Sequence, residues 1–74
     1  MIDISLTGIE GHGESTAVAA GKAVLAAANE AQSVRIADND LAEDVWAEMV
    51  AYLGRRGVTV AYDHDDGHPV ARRL

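Results

Sequence analysis

Three short stretches of the chain alternate apolar and polar residues with a period of two, and two longer ones repeat apolar residues every three or four positions. Ile2-Asp3-Ile4-Ser5-Leu6-Thr7 is the first alternating stretch and predicts a strand with Ile2, Ile4 and Leu6 inward and the polar residues facing water. Val34-Arg35-Ile36-Ala37 and Val58-Thr59-Val60-Ala61-Tyr62 predict a second and a third strand of the same kind. Between the first two, Glu14 to about Ala31 is a run of helix formers with an inward stripe of Val18, Gly21, Leu25 and Ala28, flanked by Ala17 and Val24. Between the second and third, Leu41, Val45, Trp46, Met49, Val50 and Leu53 form a broader apolar stripe. The spacing Asp40 to Glu43 reads as a capping box that starts this helix, and Arg55-Arg56-Gly57 as its stop. After the third strand, Asp65-Asp66-Gly67 predicts a hairpin turn and Pro69 to Leu74 a returning strand, which the proline places at or near an edge of the sheet.

The order strand, helix, strand, helix, strand, strand brings the chain back through each helix to begin the next strand in the same direction, so the first three strands are expected to be parallel and the last antiparallel. In doubly wound folds, parallel strands covered on both faces read as continuous apolar runs. Here every strand alternates. The expected fold is therefore an α/β (α+β) two-layer sandwich, βαβαββ, with a four-stranded mixed sheet and two helices on one face. Asp3, Ser5, Thr7, Arg35, Ala37, Thr59 and Ala61 then belong to the uncovered face.

Composition narrows the function. With 74 residues the chain is a single small domain of limited core, and with no Phe, one Trp and two Tyr that core is filled mainly by Ala, Val, Leu and Ile. The net charge of −6, twelve acids against six bases, argues against nucleic acid and against an anionic membrane surface as partners. The absence of cysteine removes disulfides, thiolate chemistry and iron–sulfur sites. No stretch approaches the roughly 20 apolar residues of a membrane span, and no leader pattern is recognised, so a cytoplasmic location is expected. The preference for alanine, and for arginine over lysine, points to a high-GC bacterial or phage genome.

The segment that joins the first strand to the first helix, Gly8-Ile9-Glu10-Gly11-His12-Gly13-Glu14-Ser15, has the spacing G-x-x-x-x-G-K-S/T of a phosphate-binding loop, with Glu14 where lysine belongs. Over this one loop it resembles the P-loop nucleoside triphosphatases. Gly8, Gly11, Gly13 and Ser15 are the residues that would meet a nucleotide, through backbone amides and a hydroxyl on magnesium. The carboxylates of Glu10 and Glu14 oppose an anion at that place, and no cofactor is expected.

A second resemblance covers most of the chain. The element order, the Ile36-Ala37-Asp38 strand end, Gly57 before the third strand, and Asp66-Gly67-His68-Pro69-Val70 leading into a basic last strand look like the small sulfur-carrier domains of the TusA type. The resemblance implies two helices on one face of a four-stranded mixed sheet. That family works through a Cys-Pro-x-Pro motif at the start of the first helix, where this chain has Gly-Glu-Ser-Thr, so sulfur transfer is not expected.

Parallel strands would gather Glu10, His12, Glu14, Asp38, Asp40, Asp63, His64, Asp65, Asp66 and His68 at their carboxyl edge, and Arg55, Arg56, Arg72 and Arg73 at the other. Imidazole and carboxylate suit a divalent metal, which makes His12, Asp63, His64, Asp65 and His68 candidate ligands, although the same residues serve as an ordinary polar hairpin tip. No G-x-S-x-G elbow accompanies Ser15, and no enzymatic activity is expected. Two functions remain: a non-enzymatic protein-interaction module that self-associates through the uncovered sheet face or an edge strand, and a small ligand- or metal-binding protein that uses the Gly8–Ser15 loop and the acidic edge.

Overall fold

A computed structural model describes residues 1–62 and 67–74. The elements follow the expected order: β1 (Ile2–Leu6), α1 (Thr16–Glu30), β2 (Ser33–Asn39), α2 (Glu43–Gly54), β3 (Val58–Tyr62) and β4 (Pro69–Arg73). They form one four-stranded mixed sheet in the order β1-β2-β4-β3. β1 and β2 are parallel, while β4 runs antiparallel to both of its neighbours, so β3 points the same way as β1 and β2. Both helical crossovers step across the sheet in the same direction. Since such crossovers are right-handed, both helices must lie on one face. α1 rests against β1, β2 and β4, α2 rests against β3, and the two helices pack on each other.

The core is the layer between helices and sheet. Leu6, Val34, Ile36, Val58 and Ala71 supply it from the strands, Ala17, Ala20, Val24, Ala27 and Ala28 from α1, and Met49, Tyr52 and Leu53 from α2. The other sheet face carries exposed Asp3, Ser5, Thr59 and Ala61 and half-buried Arg35 and Ala37, as the alternation required. Across β1 and β2, which hold Asp3 opposite Arg35, the guanidinium grips the carboxylate with two bonds, Nε to Oδ1 at 3.0 Å and NH2 to Oδ2 at 2.7 Å.

Three expectations need correction, and a fourth holds only in its looser form: the strand that begins with Pro69 lies near an edge without forming it, between β2 and the edge strand β3. The β2 ladder reaches only as far as Val70, so Pro69 lies beyond it, where a missing N–H donor costs β2 nothing, and it pairs with Tyr62 of β3 alone. The capping box at Asp40 and Glu43 does not form. α2 starts at Glu43, after Ala42, with no side-chain cap, because Asp40 accepts from the Gly8 amide instead and Asn39 Oδ1 accepts from the Leu41 amide. The buried stripe of α1 is Ala17, Ala20, Gly21, Val24, Ala27 and Ala28, rotated so that Val18 and Leu25 are half-buried at its margin. Tyr62 shares the parity of Val58 and Val60 yet is 67% exposed, because it lies at the far end of an outer strand.

α1 and α2 meet through a close approach. A Cβ on Gly21 would lie 2.4 Å from the Cδ1 atom of the Tyr52 ring, so only glycine lets the ring of α2 seat against the backbone of α1. Arg56 covers the same ring with its guanidinium carbon 3.7 Å from the centroid.

Candidate functional site

The carboxyl end of β1 and β2 is where the chain concentrates its polar loops, and the structure builds that end mostly out of bonds within the chain. Ser5 lies in β1 and Thr7 two residues on, in the turn that follows it. Both hydroxyls donate to Oδ1 of Asp38 at the end of β2, Thr7 at 2.7 Å. These two bonds, Ser5's first, hold the Asp38 carboxyl below the usual aspartate range. Where Ile4 pairs with Ile36 but Ser5 with Asp38, Ala37 of β2 is the extra residue of a β-bulge, which shifts the ladder so that Ser5 faces Asp38. A little further on, Oδ2 of Asp40 accepts from the Gly8 amide at 3.2 Å. The first backbone donor of the glycine-rich segment is thus already served by a carboxylate of β2's trailing loop.

The rest of the segment is a tight turn. The Glu14 amide donates to the Gly11 carbonyl at 2.7 Å, and between them His12 and Gly13 both have positive φ, 34° and 92°, the mark of a type I′ turn. Histidine is among the few non-glycine residues that tolerate that region. Gly11 is required for a different reason: a Cβ there would fall 1.9 Å from the Glu14 carbonyl oxygen. Ser15 is the N-cap of α1, and its hydroxyl oxygen accepts from the Val18 amide at 3.2 Å. Glu14 folds back along the helix to meet Lys22, Oε2 to Nζ 2.7 Å, and that hydrogen bond with its charge raises the lysine above its ordinary value.

Gly8, Gly11, Gly13 and Ser15 therefore have structural work here. Gly8 anchors the loop to Asp40, Gly11 and Gly13 make the turn, and Ser15 caps the helix. The position that would hold a phosphate-binding lysine carries Glu14. The nearest cation, Lys22, is engaged by it, and the pair is substantially exposed.

The metal-ligand candidates are not assembled by what is described. His12 is exposed at the turn, and His68 is half-buried just before β4 with its Nδ1 atom buried. Among the described residues no group of three His, Cys, Asp or Glu side chains is placed to hold an ion. Asp63, His64 and Asp65 lie outside the described residues, as does the Asp65-Asp66 part of the expected turn. Among the described residues no helix is long and apolar enough to cross a membrane.

Two features were not anticipated. Arg73 extends from β4 to the far end of α1, donating from Nε to the Ala28 carbonyl at 3.2 Å and from NH2 to Asn29 Oδ1. α1 has no basic residue in its own last turn, so this arginine supplies the positive charge that the helix end favours. Nothing local to α1 signals a partner 45 residues away. The Ser5–Thr7–Asp38 set does have a signal, a pair of hydroxyls at i and i+2 beside an aspartate that ends the next strand. No protein-family model, no curated protein and no solved structure matches the chain.

Proposed function

We propose that the protein is a small interaction module without catalytic activity, which works by binding protein and self-associates through the surfaces its two-layer fold leaves open. The observation that carries this reading is the sheet itself, since both helices lie on one face and the outer strands β1 and β3 each end the sheet. The polar groups that could have formed a small-molecule site are instead bonded to one another: Ser5, Thr7 and Asp38, Gly8 and Asp40, Ser15 and Val18, Glu14 and Lys22. The likeness to the sulfur-carrier domains enters as a likeness of layout alone, since the chain has no cysteine to carry sulfur.

Sedimentation velocity over roughly 5 to 500 μM chain, combined with thermal shifts against magnesium, zinc and ATP, tests the proposal. A weight-average mass that rises from monomer towards dimer, with no shift from the three ligands, is the expected result. A mass that stays monomeric throughout, together with a midpoint raised by several degrees with zinc or ATP, overturns it in favour of a ligand- or metal-binding protein using the Gly8–Ser15 loop and acidic edge.

A further inference from the structure

Resting on the self-association reading but going beyond the open surfaces, we infer that two copies of the chain join by exchanging β4, each copy's β4 entering the gap between β2 and β3 of the other. That gap is the surface whose complement the molecule itself carries. β2 and β3 do not pair with each other; β4 lies between them and bonds to both. Apart from β4, the α2–β3 half of the fold is held to the β1–α1–β2 half by the packing of α1 on α2. A chain whose β4 has swung out therefore presents two facing strand edges, and an edge without a partner pairs readily with another strand.

The fit of the occupant is already set within one chain. β4 meets β2 through Ser33 and Arg72, Val34 and Ala71, and Arg35 and Val70, and it meets β3 along its whole length, from Val58 and Arg73 to Tyr62 and Pro69. Pro69, Val70 and Ala71 are buried, and Arg73 Nε donates to the Ala28 carbonyl of α1 at 3.2 Å. Exchange remakes each of these contacts with the second copy, so the dimer needs no complementary surface beyond the one the monomer holds, and reciprocal exchange closes at two copies. β4 is also a light element to release. Its buried side chains are small, and its last two residues, Arg72 and Arg73, are exposed.

The approach to β4 supplies a joint. Gly67, two residues before the strand, has a φ of 74°, left-handed backbone that glycine enters and leaves without the cost a side chain would add. His68 stands directly before Pro69, and a proline biases the residue ahead of it towards extended backbone. His68 and β4 therefore move as one straight piece. Straightening Gly67 carries that piece away from its own β3 and towards a second copy, as in a hinge that absorbs its motion at one or two residues.

The test uses the full chain, which has no cysteine of its own. Thr59 of β3 and Arg72 of β4 are exposed Cα partners, and antiparallel partners lie within disulfide reach. In the double variant Thr59→Cys with Arg72→Cys, oxidation in dilute solution should tie β4 to its own β3. Sedimentation velocity should then find the cross-linked chain monomeric at roughly 500 μM, where the wild type and the reduced variant dimerise. The single variants Thr59→Cys and Arg72→Cys, mixed, concentrated and then oxidised, should give a covalent pair joining position 59 of one copy to position 72 of the other. Gly67→Ala strains the closed form at both hinges and not the exchanged one, and should lower the dimer Kd by about tenfold or more. A cross-linked chain that dimerises as strongly as the wild type, or a Gly67→Ala chain with an unchanged Kd, overturns strand exchange yet leaves self-association standing. A wild-type chain that stays monomeric to roughly 500 μM overturns both.

Discussion

Asp38 shows how a single exposed carboxylate can contribute to the fold. Its carboxyl sits below the ordinary value of 3.8 because Ser5 and then Thr7 donate to its ionised form, and the two hydroxyls, one in β1 and one just after it, are more than 30 residues away. A group whose folded value lies below its unfolded value stabilises the native state above the unfolded value, and that stability is lost as pH falls through the folded one. The thermal midpoint should accordingly drop as the solution is acidified below about 3.8, and Asp38→Asn should flatten that limb of the curve while lowering the midpoint at pH 7. A variant whose acid limb coincides with that of the wild type would remove Asp38 from this role. Ser15→Ala separates structure from ligand chemistry. Loss of the N-cap should cost about 1 kcal/mol in urea unfolding. The residue scale was only partly legible in the sequence: Ser15 was recognised, but as a potential magnesium contact rather than as the cap, because the motif that drew attention to it has the same serine at a helix start.

At the scale of elements the alternation of apolar and polar residues was sufficient, since a one-residue slip of any strand would turn its apolar set outward. β3 was bounded correctly at both ends. The helix starts were less legible: Ala42 caps α2 only because Asp40 is drawn away to the Gly8 amide, a competition between segments that no local pattern records. How the helices meet was hidden for the same reason. Gly21 reads as part of the inward stripe, but that the position demands glycine emerges only with Tyr52 in the space its missing side chain leaves. Gly21→Ala should gain up to about 1 kcal/mol from helix propensity. Forcing the buried ring aside costs about 1–3 kcal/mol, so the net effect should be destabilising. In Tyr52→Leu the obstruction is gone, and Gly21→Ala should become neutral or stabilising. A double-mutant cycle by chemical denaturation checks the coupling, and additivity within about 0.5 kcal/mol would mean that the contact does not set the interhelix spacing.

For the molecule as a whole, strand order was the part least available to sequence reasoning. Pro69 signals an edge, yet the neighbouring β2 ladder stops one residue short of it, and β4 takes the central place. That insertion carries Arg72 and Arg73 to the same end as Arg55 and Arg56, opposite Asp38 and Asp40, so the net charge of −6 is unevenly spread. Its consequence for stability can be argued from lengths. The radius of gyration is 11.2 Å. The Debye length is about 30 Å at 0.01 M salt and about 3 Å at 1 M, so at low salt every acid feels every other, and at high salt only neighbours interact. The ion pairs Lys22–Glu14 and Arg35–Asp3 are substantially exposed, and such pairs contribute about 0–1 kcal/mol. Repulsion should therefore outweigh them, and the thermal midpoint of the monomer, measured at a few micromolar, should rise as sodium chloride is increased from about 10 mM to about 1 M. A midpoint that falls with salt at low protein concentration would show that attraction, not repulsion, governs the monomer.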